Sequence, residues 1–225
     1  MYTSNVNILI LGASGLLGSN LFNELKINHN VIGTTSHYPD FKDLISTGID
    51  IEIIRDICHK NKISLVINCV AITDIEYCEN HPEAAWIVNS DFPYRISELT
   101  RSMGIKFVHI STDHFITPIG NIRNESCVVQ VINQYSYTKL SAEQLILNSA
   151  PETLILRVSF IGTNRFGFFD KSLFSFMYNN LKSSKEFIGF EDITFNPVSA
   201  GYIADTILNL IESDVKGILN LSLIH

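Results

Sequence analysis

The chain has 225 residues, of which 46% are hydrophobic and only 17% charged. That suffices for one large domain with a substantial core, or a main domain with a small lobe. A formal net charge of −7, from 16 basic and 23 acidic residues, argues against a general nucleic-acid binder, though an anionic ligand remains compatible, because backbone N–H groups at a helix start hold phosphate without lysines.

No apolar run reaches the ~18–20 residues of a membrane span, and "MYTSNVNILI" lacks a basic region leading into a signal sequence. The expectation is a soluble, cytoplasmic protein without a membrane partner. Cys58, Cys69, Cys78 and Cys127 form no C-x-x-C, which fits reduced thiols.

Along the chain, short apolar runs alternate with helix-length amphipathic ones. Strands are expected at "VNILIL" (6–11), "NVIGTT" (30–35), "SLVINCV" (64–70), "KFVHIS" (106–111) and "TLILRVS" (153–159). Helices are expected near 16–27, 52–62, 82–103 and 135–149. Continuous apolarity suits strands buried on both faces, and the β-α-β rhythm implies a parallel sheet. After Arg157 the rhythm loosens into the aromatic, glycine-dotted "FIGTNRFGFFDKSLFSFMYNN", then a helix-like "AGYIADTILNLIES" and "KGILNLS". The fold class is therefore α/β: a Rossmann-type doubly wound parallel sheet over 1–157, with a small, partial C-terminal lobe over 158–225 from which segments can return to the main sheet.

The first run leads into "ILILGASGLLGSNL", with Gly12, Gly15 and Gly18 after a strand and at the opening of a helix. In that context Gly12 permits the tight turn and Gly15 lets the backbone approach a pyrophosphate. Gly18 lets the helix pack close to the sheet. A bare glycine spacing is weak evidence; the strand-loop-helix setting strengthens it.

Further on, "VINQYSYTKLSAEQLIL" puts two tyrosines within four residues of Lys139. At ~3.6 residues per turn, Tyr135 lies over Lys139 and Tyr137 looks elsewhere. An ammonium near a phenol lowers its pKa below the usual ~10, which suits a general acid or base. Taken alone, the pair also fits two surface tyrosines beside a solvated lysine. His109 and His114 are isolated, lack partners at metal-ligand spacing and are expected to be structural, so no metal site is expected.

The G-x-x-G-x-x-G spacing together with Tyr-x-x-x-Lys resembles the extended short-chain dehydrogenases, and most closely their dTDP-4-dehydrorhamnose reductase branch. "LVINCVAIT", "CENHPEAAWIVNSDFPYRISELTRSMG", "FVHISTDHFI", "NQYSYTKLSAEQ", "LILRVSFIG" and "FNPVSAGYIADTI" are similar to that branch's landmarks in order and spacing. The resemblance implies reduction of a nucleotide-activated 4-keto-deoxysugar by NAD(P)H, for surface-polysaccharide precursors. In that frame Tyr135 donates a proton to the C4 oxygen, Lys139 holds the nicotinamide ribose, and Thr112 hydrogen-bonds the same carbonyl. Gly12, Ser14, Gly15, Leu16 and Leu17 surround the pyrophosphate, and Asp50 and Ile51 match the adenine-side pair. Cys69, Val70 and Ala71 line the cofactor cleft, Asn89 belongs to its helix, and Asp113 and Phe160 fall beside the substrate. Plainer readings stand next to these: Thr112 and Asp113 as loop caps, Asn89 bonded within its helix, Phe160 as core.

Three departures bear on what the resemblance implies. His114 replaces a tyrosine and Val198 a polar residue near the sugar. Thr35 stands where a carboxylate would bind the adenosine ribose of NAD, which leans toward NADP, although no arginine follows it. The sequence ends at "NLSLIH" where that branch usually continues, so a fragment and a shortened homologue are both open, with Leu219, Leu221, Leu223 and Ile224 expected to lack apolar partners. A cofactor-binding regulatory subunit, a nucleotide-sugar epimerase and a homo-oligomer also stay open.

Overall fold

The computed structural model describes residues 5–36, 42–115, 124–167, 172–189 and 196–222. Seven strands form one sheet in the order β3-β2-β1-β4-β5-β6-β9, all neighbours parallel. They are β1 (Asn7–Leu11), β2 (Asn30–Thr35), β3 (Leu44–Ser46), β4 (Leu65–Asn68), β5 (Lys106–Thr112), β6 (Leu154–Val158) and β9 (Gly217–Leu221). Two short strands, β7 (Phe160–Ile161) and β8 (Val198–Ser199), pair apart from it. The chain thus runs outward from β1 to one edge, returns, and continues from β4 to the other. The order reverses between β1 and β4, so a crevice opens there beyond the strands' C-terminal ends.

The helices are α1 (Leu16–Leu25), α2 (Ile51–Lys60), α3 (Ile75–Asn80), α4 (Pro82–Trp86), α5 (Phe92–Ser102), α6 (Gln134–Ser149), α7 (Leu173–Lys182) and α8 (Ala200–Glu212). Alternate residues of the central strands feed two cores. Ile8 and Ile10 of β1 face α1 and α8 on one side, whereas Leu9 and Leu11 face α2, α5 and α6 on the other. Each strand buried on both faces explains the continuous apolar runs.

The helix expected over 82–103 is broken. Between α4 and α5 the backbone passes through a π-helical turn, Ile87–Asp91. Pro93 explains the slip in part: it has no N–H to give the carbonyl one turn back, and wider i→i+5 bonding absorbs the mismatch. The strand expected over 64–70 stops at Asn68, because the chain turns away toward the crevice.

The C-terminal residues behave differently from expectation. β9 joins β6 as the seventh strand, Leu221 is buried, and Leu219 packs against the core that α8 and α1 enclose. Both leucines have partners because α8 carries the chain back to the sheet. Leu223 and Ile224 lie outside the described residues.

Candidate functional site

The glycine loop sits at the C-terminal end of β1. Gly12 has φ +77°, a left-handed conformation that favours glycine, and a Cβ there would stand 3.1 Å from Val70 N. A Cβ on Gly18 would come within 2.3 Å of Gly12 O, so close helix–loop packing requires glycine. A Cβ on Gly15 meets only Gly12 O, at 3.2 Å, and otherwise points into open space. Gly15 is the N-cap of α1, and no side chain caps that terminus. Amides of the first turn are thus available to an anion, with the helix dipole behind them. The donor set fits a dinucleotide pyrophosphate.

A cleft of about 390 Å³ opens above these amides, at the switch between β1 and β4. It brings together Gly15, Leu16, Leu17, Cys69, Ala71, Thr112, Tyr135, Lys139 and Phe160. Thr73, Ser111, Gly162 and Phe174 also line it, and sequence reading does not single them out. A second cavity, about 290 Å³, lies at the start of β5 and β6 beside Lys106 and Leu154. That is the opposite edge from where open α/β sheets bind ligands.

Tyr135 and Lys139 lie on one face of α6, whose start is fixed by a reciprocal cap between Asn133 and Ser136. Tyr137 is 47% exposed, with its ring 6.1 Å from that of Trp86, as the helical register requires. The Thr112 hydroxyl, at the end of β5, lines the same cleft as the Tyr135 phenol and accepts from His114 N at 3.1 Å. Lys139 is only 2% exposed, and its Nζ donates to Ile110 O at 2.7 Å.

Two expectations are corrected here. Lys139 does not pull the phenol down. Burial raises the Tyr135 pKa above 10, the Thr112 hydroxyl works against that rise, and Asp113 and Cys78 add to it. The Lys139 ammonium is turned toward Ile110 O, and burial lowers its own pKa to about 8, against the opposing pull of Glu143 and Cys69. Nor is His109 isolated. Its Nε2 lies 3.2 Å from Lys139 Nζ, and its Nδ1 lies 3.2 Å from Asn68 Nδ2. A histidine buried in an otherwise apolar strand needs polar partners, and that is the signal by which it could have been found.

The remaining expected residues stand behind or beside the cleft. Asn89, fully buried in the π-helical turn, accepts from Ile72 N and donates to Ile72 O and Thr138 Oγ1. It braces the loop after β4 rather than lining the cleft. Asp50 caps α2 by accepting from Glu52 N and Ile53 N, and Ile51 is buried in the core. Thr35, at the end of β2, donates to Ser14 Oγ at 3.0 Å. Val70 packs by Gly12, and Asp113 is exposed beside Thr112. Val198 is fully buried and pairs with Phe160 across β7 and β8, so it backs a cleft residue and does not face the cleft. His114 lies with its ring 6.3 Å from that of Tyr135.

Under the cleft floor, Arg157 on β6 forms a buried pair with Glu143 on α6, with Nη2 to Oε2 at 2.6 Å. Ser111 donates to Glu143 Oε1 at 2.5 Å, and the guanidinium stacks 5.0 Å from the Phe115 ring centre. This network ties the ends of β5 and β6 to the Tyr–Lys helix.

A parallel sheet with a glycine loop at its switch point, and a Thr–Tyr–Lys group across the cleft, defines a short-chain dehydrogenase/reductase of the extended type. More particularly, the chain belongs to the RmlD substrate binding domain family, which matches residues 6–225. It is 33% identical over 215 residues to a Haloferax volcanii protein named "probable low-salt glycan biosynthesis reductase", covering 92% of this chain and 71% of that one. It is 31% identical over 148 residues to a dTDP-4-keto-6-deoxy-D-glucose reductase of Streptomyces niveus, covering 64% and 48%. A crystal structure from Sulfolobus tokodaii, described as a hypothetical dTDP-4-dehydrorhamnose reductase, superposes with a TM-score of 0.83 at 29% identity, over 96% of this chain and 76% of that one. The chain therefore spans about half to three quarters of these proteins' lengths. No helix among the described residues is long and apolar enough to cross a membrane.

Proposed function

We propose that this protein reduces the 4-keto group of a nucleotide-activated deoxysugar, using NAD(P)H, in the cytoplasmic synthesis of surface-polysaccharide precursors. The observation that carries the reading is one cleft lined by Thr112, Tyr135 and Lys139 on one side and the uncapped start of α1 on the other. The residues fit a dinucleotide: the amides after Gly15 would hold its pyrophosphate, Cys69 and Ala71 its nicotinamide side, and Lys139 its ribose. When bound, the reduced cofactor supplies the hydride.

The chain's own residues do the rest. Thr112 and Tyr135 line the same cleft, so a carbonyl held between them would be polarised by two hydroxyl donors. As alkoxide charge develops, Tyr135 gives up its phenolic proton to that oxygen. A raised pKa suits this role, because a phenol that holds its proton in the resting protein is a donor and not a base. Phe160, with Val198 behind it, and Asp113 bound the side where the sugar would lie.

The β2 end favours NADP over NAD in this reading. Buried Thr35, bonded to Ser14, stands there in place of a carboxylate that would repel a ribose phosphate. The test is a panel of nucleotide-4-keto-sugars incubated with NADPH or NADH, following loss of reduced-cofactor absorbance. Turnover abolished by Tyr135→Phe supports the reading. No turnover of any 4-keto-sugar by a protein that binds the cofactor would overturn it.

A further inference from the structure

Behind the Thr–Tyr–Lys group, three fully or nearly fully buried side chains form a line: Asn68, His109 and Lys139. Their hydrogen-bond polarity can be worked out from one end. Asn68 Oδ1 accepts from Val70 N at 3.1 Å, which fixes the orientation of the amide. Nδ2 is then the group facing His109 Nδ1, and it can only donate. His109 is neutral, since burial alone disfavours an imidazolium there and its pKa lies well below 6.5. With Nδ1 accepting, its single proton sits on Nε2, pointed at Lys139 Nζ. An ammonium has no lone pair to receive that N–H. A neutral amine has one, and can still donate to Ile110 O.

We propose that Asn68 and His109 act as a buried positioning pair that sets the charge of Lys139, favouring the neutral amine through a hydrogen bond donated by His109 Nε2–H. The ammonium would require His109 to move its proton to Nδ1, where it would face the Asn68 amide donor-to-donor. The buried N–H of either group would then lack an acceptor, a cost of the size of a lost hydrogen bond. The low proton affinity of Lys139 agrees with this arrangement. The other titratable groups facing Lys139 are Tyr135 and Glu143 on its own helix and Cys69 beyond β4, of which Glu143 and Cys69 favour the ammonium. The Glu143 carboxylate is already engaged by Arg157 and Ser111, while burial pushes the Cys69 thiol up to about 12 and keeps it neutral. His109 is therefore the neighbour whose bond specifically favours the amine.

The consequence for chemistry rests on the proposed reductase reading. A lysine that exchanges between ammonium and amine near pH 8 presents the proposed ribose site with a charge that depends on pH, whereas a permanent cation does not.

The experiment follows the full chain by NMR with nitrogen-15 in histidine and lysine, in the wild type and in Asn68→Leu. In the wild type Lys139 is expected to titrate near pH 8, with His109 as the Nε2–H tautomer above that pH, where the lysine is an amine. Asn68→Leu removes the opposing donor, so His109 can carry its proton on Nδ1 and accept from the ammonium. Lys139 should then bind its proton about tenfold more tightly. A merely structural Asn68 would leave that titration in place. The Nδ1–H tautomer or an imidazolium in the wild type above pH 8 overturns the proposal, and so does an unmoved Lys139 titration in a folded Asn68→Leu. If the variant does not fold, the wild-type tautomer decides alone. The readout needs neither cofactor nor sugar, so a protein that reduces nothing still tests this pair, and a wrong tautomer leaves the reductase reading standing.

Discussion

At the scale of single residues, Tyr135 and Tyr137 form an internal control, chemically identical and two positions apart on one helix. Tyr135 lines the cleft along with Thr112, while Tyr137 is half exposed against Trp86. Tyr135→Phe should therefore cut kcat by roughly 10²–10⁴-fold, the worth of a positioned general acid, with cofactor affinity nearly unchanged. Tyr137→Phe should be close to neutral, and steady-state kinetics with cofactor titration compares the two. Lys139 makes a second prediction, on stability. Its folded pKa, about 8, lies below its ordinary value of 10.5. Between those values the unfolded chain binds a proton that the folded protein does not, so this group's contribution to stability rises with pH across that window. Cys58 and Cys69, raised by burial to about 11 and 12, act in the opposite sense at higher pH. The difference between wild type and Lys139→Met in urea unfolding isolates the lysine. It should grow in favour of the wild type from pH 8 to 10.5, by on the order of 3 kcal/mol.

At the scale of elements, the five expected strand runs all became strands of the main sheet, because strands buried on both faces leave an unbroken apolar signature. What could not be read was short or depended on distant contacts. β3 has three residues, and α3 has six, with only the Asp74 cap to announce it. α7 buries none of its residues, so its apolar side chains were not matched to a core among the described residues. The cleft's glycines, Thr112, Tyr135 and Lys139 were legible because local motifs encode them. The pairing of Glu143 with Arg157 and of His109 with Lys139 was not, since those partners lie 14 and 30 positions apart and meet only when the sheet forms. A charged residue within a buried strand did signal that a partner must exist. The buried pair makes its own prediction. Glu143→Gln leaves the Arg157 guanidinium uncompensated under the cleft, and should cost about 3–5 kcal/mol in chemical denaturation. The double variant Glu143→Gln/Arg157→Met should recover part of that loss, because no buried charge is stranded. Equal or additive losses would show that the two residues act separately.

At the scale of the whole molecule, the glycine loop is held from two directions. β1 and α1 supply it, and residues after β6 clasp it from above. Asn164 Nδ2 donates to Ser14 O at 2.8 Å, Arg165 Nε donates to Asn20 Oδ1 at 3.0 Å, and the Phe166 ring sits 5.5 Å from Phe22. The C-terminal segment is thus structurally part of the phosphate-facing region, and a ligand bound there should stabilise the whole chain. At a concentration of a hundred times Kd, a ligand that binds only the folded state adds about 2.7 kcal/mol, or roughly 5–10 °C in Tm for a protein of this size. Two glycine variants separate the loop's architecture from its ligand. Gly18→Ala drives a Cβ to 2.3 Å from Gly12 O, so it should lower the Tm without any ligand. Gly15→Val adds its side chain where the nearest protein atom is Gly12 O at 3.2 Å, so its Tm without ligand should stay near that of the wild type. It should nonetheless lose the rise produced by NADPH, because the valine occupies the space through which the pyrophosphate must reach the amides of α1. A folded Gly15→Val that still gains the full rise with NADPH would place the dinucleotide somewhere other than this loop.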